Sequence, residues 1–558
     1  MTEKKAEDKE ASRRQFIKGT VMGGVAGAVL GAVTGGVMGS TIAPPGPTGA
    51  QGPPGPPGPV GTVEEPKWDA DLLVVGSGEA GMFAAINAAD EGAKVILLEK
   101  FPDIMSSSSW ISGGSISGAC TKMQIAGGVL DDSPWEHYKD IMKIGRYKQD
   151  PDLVRVFVEN AGVIVDWLDA LGVPFKDHKA LFAPAHELYS KMRSYWPDPQ
   201  GSTPSGGVIN TYIQKELQKR IDRGDVKRLF ETRAKTLIKD DSGTITGAKA
   251  DDAGGKEVQY LAKATILATG GFVNDRKARK DFAPWMENVI SKGAVSATGD
   301  GLYMATGVGA GTACLSDEFL TAVLSPGAIP DPKDPTKSTA SVNMIQYPGP
   351  IWVDKNGKRF YDEGTSYEVG RKEATCKNVA DQTVFVILDE GIKTANKDTP
   401  IAFGAWNKFD EAAKAGELVK MANTIEELAG KLGIDAAALK NTVDKYNGYV
   451  TAGKDPDFGR TELKYKIATP PFYGIKTIPS SILTRGGLVI NTRAEVLDTK
   501  GKIIPGLYAA GEVVAQSLTS SGIGSISGGA NTTAMVFGRL AGIQATKYAQ
   551  ATYHQRAK

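Results

Sequence analysis

The sequence predicts an α/β protein built around a parallel sheet, and three observations carry that prediction. Asp71-Leu-Leu-Val-Val75 is a short apolar run of the kind that forms a strand buried on both faces. Gly76-Ser-Gly78-Glu79-Ala80-Gly81 follows at once and opens a stretch of helical character, Met82 to Glu91. A second apolar run, Val95-Ile-Leu-Leu98, ends in Glu99. Strand, glycine turn, helix, strand and acid in that order predict a dinucleotide-binding unit of Rossmann type.

Each residue of the turn has a task. Gly76 permits the tight bend, Gly78 lets the backbone approach a pyrophosphate, and Gly81 lets helix and strand pack closely. Glu79 and Ala80 complete the turn that leads into the helix, whose N-terminus offers unpaired N–H groups and positive dipole to phosphates. Glu99 is placed to accept from a ribose hydroxyl, with Lys100 next to it. This pattern alone does not separate one dinucleotide from another.

The segment before this unit reads as an address and a spacer. Ser12-Arg-Arg-Gln-Phe-Ile-Lys18 carries twin arginines ahead of an uncharged stretch, Gly19 to Ala43, and resembles a twin-arginine export signal. Such a stretch is long enough to span a bilayer, which takes ~20 apolar residues. Gly19, Gly23, Gly27, Gly31, Gly35 and Gly39 recur every fourth residue, a stripe that lets membrane helices approach each other. Gly46 to Gly61 then places glycine at every third position among prolines. That is a collagen-like run, read here as a stiff spacer, with trimerisation as the alternative. Residues 1–43 are thus expected to be an export signal or membrane anchor, and 44–67 a linker. Anchoring and oligomerisation are expected to run through residues 19–61.

Composition excludes several classes. The 65 basic and 64 acidic residues leave a net charge of +1, so no nucleic-acid footprint is expected. The chain has three cysteines, Cys120, Cys314 and Cys376, too few for an ordinary iron–sulfur cluster. No C-x-x-C-H occurs, so no c-type haem is attached. Electrons must come from an external donor, such as a multihaem cytochrome c or a quinol-oxidising membrane protein. No metal site is expected.

Several distant segments resemble the fumarate reductase/succinate dehydrogenase flavoprotein superfamily, which includes urocanate reductases and 3-ketosteroid dehydrogenases. They are Ile266-Leu-Ala268-Thr269-Gly270-Gly271, Thr298-Gly-Asp300-Gly301, Pro505-Gly-Leu-Tyr-Ala-Ala-Gly511-Glu512 and Ser527-Gly528-Gly529, with Phe537-Gly-Arg-Leu-Ala-Gly542 beyond. The resemblance covers roughly 68–550. It implies FAD, with Gly511 and Glu512 at the ribityl chain and Gly528 near the isoalloxazine. The stretch in which succinate dehydrogenases carry a flavin-linked histidine reads Ser106-Ser107-Ser108-Ser109-Trp-Ile-Ser-Gly113-Gly114 here. Without that histidine the flavin is expected to be non-covalent, with Ser107 and Ser108 offering hydroxyls. The resemblance further implies an inserted α+β capping domain. The expected division is an FAD domain over 68–311 and 471–550, a cap over 312–470, a long loop at Ser316–Tyr347, and a return at Pro470-Pro-Phe-Tyr473.

In this superfamily a hydride passes between the flavin and a C=C carbon, and a protein acid protonates the neighbouring carbon. Fumarate reductases use an arginine as the acid, and further arginines and histidines to hold two carboxylates. Aligned after Gly357-Lys-Arg-Phe360, this chain offers Tyr367 at the acid's place. Leu483 and Ser525 stand where a carboxylate-binding histidine and arginine are expected. Tyr367, Tyr361 and Tyr347 are the candidate acids, with Arg371 and Arg485 in reserve. Each tyrosine also has a plain reading as a half-buried packing residue. The resemblance with these losses implies an exported reductase of an activated C=C bond, an enone or acrylate-like substrate and not a dicarboxylate, serving anaerobic respiration at the outer face of the cytoplasmic membrane or in the periplasm. The alternatives are a ketosteroid-type dehydrogenase, a fumarate reductase with rearranged ligands, and a non-catalytic flavin electron-transfer or surface protein.

Overall fold

The structure is a computed structural model. It describes residues 68–556 except 183–188, 288, 316–321, 331–337, 342–348, 364–378, 399–405 and 522–525. The export signal, anchor and Gly-x-y spacer expected over residues 1–67 lie outside the described residues.

The predicted strand–turn–helix–strand unit is present. Strand Ala70–Val75 runs into helix Glu79–Asp90 and on to strand Val95–Leu98. Strand Ala70–Val75 sits between Glu257–Leu267 and Val95–Leu98, parallel to both, and Val226–Leu229 extends the sheet beyond Val95–Leu98. On the other side Ile503–Ala509 pairs in parallel with Glu257–Leu267. Strand Ala70–Val75 reads as a continuous apolar run because helices cover both faces of a parallel sheet. Leu72, Leu73 and Val74 are fully buried. Helix Glu79–Asp90 packs on the C-terminal helix Gly529–Arg556. Gly538 and Gly542 face the Ala80 and Ala84 backbones so closely that a Cβ at either would overlap a carbonyl. Those glycines set the spacing of the two helices.

A second sheet has the order Ser338–Ser341, Ala322–Pro330, Phe472–Thr484, Val384–Asp389, Ile351–Val353, with Val419–Ala422 and Ile290–Ser291 also on Phe472–Thr484. Its core is separate. One buried cluster draws on residues 70–310 and 488–549, the other on 329–475. Two expectations change here. The stretch Ser316–Tyr347 is not wholly loop, since it contains the strands 322–330 and 338–341. The expected return at 471 falls just before Phe472–Thr484, which belongs to the cap sheet, and the chain rejoins the larger core only at Leu488. Phe472, Tyr473 and Ile475 of that strand are buried in the cap core, and the strand ends at Thr484, just ahead of Gly486-Gly487.

Candidate FAD site and active centre

A cavity of about 440 Å³ opens along the carboxyl ends of the parallel strands, the usual position for a ligand in such sheets. The first wall is the glycine turn. Gly76 has φ +102°, and a Cβ there would overlap the Ala268 carbonyl, so a glycine is required. A Cβ on Gly81 would overlap the Gly76 carbonyl, which fixes the close helix–strand approach. Gly78, Glu79 and Ala80 line the cavity, while Gly81 supports it from behind. Glu99 also lines it, accepting from Ser77 N at 2.9 Å through Oε2 and from Phe101 N at 3.1 Å through Oε1. Burial raises its carboxyl pKa against those hydrogen bonds. Two carboxylate oxygens have further lone pairs for a sugar hydroxyl.

Asp300 and Lys100 line the same cavity and hold each other. Lys100 Nζ reaches Asp300 Oδ2 at 2.8 Å, and Arg233 Nη2 reaches Asp300 Oδ1 at 2.8 Å. Burial works against ionisation of Asp300, yet the two cations keep its pKa below the ordinary aspartate range. Asp300 therefore orders the wall.

The next wall combines segments far apart in sequence. Gly270 has φ +74°, with open space where its side chain would stand. Ala268 and Thr269 line the cavity with it, and Thr269 Oγ1 has no protein partner. Glu512, following Gly511 at φ +80°, is buried and accepts from Ser108 Oγ at 2.8 Å and Thr484 N at 2.9 Å. Burial raises its pKa. Ser107 lines the cavity and also caps the short helix Ser108–Ile111. Gly113, Gly114 and Gly528 complete this wall, Gly528 packed against Ile116 and Ser117. Ser527 is placed differently from expectation: it does not line the cavity, and its hydroxyl pairs with Ser115, which does.

Ile482 and Leu483 of the cap strand also line the cavity, together with Arg485, Lys292 and Trp196. Arg485 is buried. Burial alone lowers the Lys292 pKa. Of the other candidate acids, Tyr361 is corrected. It stacks on Trp352, centroids 6.2 Å apart, inside the cap core, and does not line the cavity. Tyr347, Tyr367 and Arg371 lie outside the described residues.

Sequence reasoning missed Asn210, Arg233, Lys292 and Trp196. Asn210 Nδ2 donates to Glu79 Oε1 at 3.1 Å, and Ser109 Oγ donates to Asn210 Oδ1 at 3.3 Å. None of the four belongs to a local motif; tertiary packing sets Asn210 against Glu79 and brings the other three to the cavity.

A helix N-terminus, glycines at each backbone approach, a carboxylate for a ribose and an unpartnered threonine hydroxyl define a dinucleotide-binding flavoprotein site, and its residues fit FAD. The chain matches the FAD binding domain family over residues 71–531 and belongs to it. Among its relatives are a cytochrome-type fumarate reductase of Shewanella frigidimarina, 33% identical over 87% of this chain and 78% of that one, and a urocanate reductase of Eggerthella lenta, 34% identical over 86% and 75%. An open-conformation flavocytochrome c3 fumarate reductase shares the fold with a TM-score of 0.65 at 29% identity, covering 86% of this chain and 78% of that one. The chain is an FAD-dependent oxidoreductase acting on CH–CH bonds.

Proposed function

We propose that the chain reduces the activated C=C bond of an enone or acrylate-like substrate, outside the cytoplasm, with electrons from an external donor. One observation carries the substrate class. Leu483 lines the cavity beside Ile482, at the place where the superfamily resemblance puts a carboxylate-binding histidine. An apolar wall there does not hold a second carboxylate, because an unpaired buried charge is costly. Lys292 and Arg485 supply positive charge to the cavity, enough for a carbonyl or one carboxylate.

FAD, when bound, supplies the hydride to one alkene carbon. Arg485 polarises the conjugated carbonyl, and Tyr367 donates the proton to the neighbouring carbon. A tyrosine with an ordinary pKa near ~10 is protonated at neutral pH and can serve as that acid. The flavin is held non-covalently. No histidine among the described residues lines the cavity. Export rests on the twin arginines. A donor such as a multihaem cytochrome c or a quinol-oxidising membrane protein rests on the shortage of cysteines and the missing haem motif, and a role in anaerobic respiration follows from both. Residues 19–61 would tether the enzyme to the membrane or to further copies.

The acid is tested with Tyr367→Phe. Turnover driven by a reduced viologen should fall at least about tenfold while flavin content stays at the wild-type level. Unchanged turnover would remove Tyr367 from the mechanism.

A further inference from the structure

Helix Glu79–Asp90 begins at the glycine turn that would take the cofactor's diphosphate, and its first side chain is a carboxyl. Glu79 is 1% exposed. Asn210 Nδ2 holds Oε1 at 3.1 Å, and Oε2 has no hydrogen-bond partner. The elements packed on this helix bring no balancing cation. Strand Val95–Leu98 is uncharged, and Glu99 follows it. Asp71 of strand Ala70–Val75 is engaged by Lys263 of strand Glu257–Leu267. Helix Ser205–Asp222 offers Asn210 to Glu79, while its Arg220 pairs with Asp90 at the far end of the helix and with Glu216. Arg539 of the C-terminal helix has Glu91 as its charged neighbour. The turn Gly511–Val513 adds another carboxyl, Glu512. Across the cavity, Lys100 and Arg233 are committed to Asp300, and Lys292 and Arg485 line it elsewhere. At Glu79 burial dominates and only the Asn210 hydrogen bond opposes it, which pushes the carboxyl up to about 8.

A buried carboxylate behind two phosphates would repel them in a poorly screening interior. We propose that Glu79 keeps its proton in the FAD-loaded protein, so that cofactor uptake is coupled to protonation of this carboxyl and alkaline pH loosens FAD. Below the pKa of the empty site the proton is already present, and binding takes up none. Above it, loading must recruit a proton, so the dissociation constant rises by up to ~10-fold per pH unit.

The test strips FAD from the full-length protein and titrates it back by flavin fluorescence. Wild type should bind FAD at least about tenfold more weakly at about pH 9.5 than at about pH 7. Glu79→Gln, isosteric and permanently neutral, should show at least about tenfold less pH dependence of FAD affinity over the same range. Glu99 and Glu512 are present in both proteins, so the difference isolates Glu79. Calorimetry at about pH 9, in two buffers of different ionisation enthalpy, should show uptake of roughly one proton by wild type beyond that of the variant. Equal pH dependence in the two proteins would overturn the proposal. If the variant binds no FAD, absence of proton uptake by wild type overturns it and its presence supports it.

Discussion

The cap core and the cofactor cavity bury charge in opposite ways. In the cap, Arg359 grips Glu363 through Nε at 2.8 Å and Nη2 at 2.6 Å, and reaches Asp455 at 2.9 Å. Arg460 adds a contact to Glu363 at 3.3 Å. Two cations answer two anions, and all four side chains are almost wholly buried. In the cavity wall, Glu79, Glu99 and Glu512 are held by backbone N–H groups, hydroxyls and an amide, with no cationic side chain hydrogen-bonded to them among the described residues. Burial raises the pKa of all three. A closed set of ion pairs holds a fold together. Buried carboxyls held by neutral donors beside a cavity are set up to meet a ligand's hydroxyls or to hold a proton near its phosphates.

The comparison can be broken first at the glycine turn. Gly76→Val adds a branched side chain at φ +102°, where even a Cβ meets the Ala268 carbonyl. Flavin content of the purified variant should fall below about a tenth of wild type. A variant that keeps full flavin would show that the turn is not the docking point.

The cap gives the next effect. Glu363→Ala leaves Arg359 with Asp455 and takes from Arg460 its carboxylate, leaving it the Glu462 and Pro350 carbonyls. Breaking a buried pair in this way costs about 3–5 kcal/mol, read as a fall in the denaturant midpoint. The same variant should still bind FAD under native conditions, because none of these residues lines the cavity. Loss of FAD with unchanged stability would assign the cluster to the site instead.

Much of the cofactor site was legible in the sequence because backbone approach leaves a chemical mark. Gly76, Gly270, Gly511 and Gly528 all adopt φ between +74° and +102°, where glycine is strongly favoured. Glu99 was legible because the length of one βαβ unit fixes its place. Asn210 and Arg233 left no such mark, since helix and strand packing alone sets Asn210 against Glu79 and brings Arg233 to the cavity. Asp300 was found by its motif, but its pairing with Lys100 and Arg233 was not visible. Tyr361 misled because distance from Gly357-Lys-Arg-Phe360 says nothing about which way a side chain faces. In the fold it turns inward onto Trp352. The return to the FAD domain was placed one element too early because the Pro470-Pro471 pair looks like a boundary, whereas the chain rejoins the larger core only at Leu488, after Gly486-Gly487.

The substrate class is the central claim. The protein, reduced without oxygen, is mixed with simple enones, acrylates and fumarate in turn, and the rate of flavin reoxidation is read for each. An enone or acrylate should reoxidise the flavin at least about a hundredfold faster than fumarate, the discrimination expected when a second carboxylate finds no buried partner. Reoxidation by fumarate as fast as by the best enone or acrylate would contradict it.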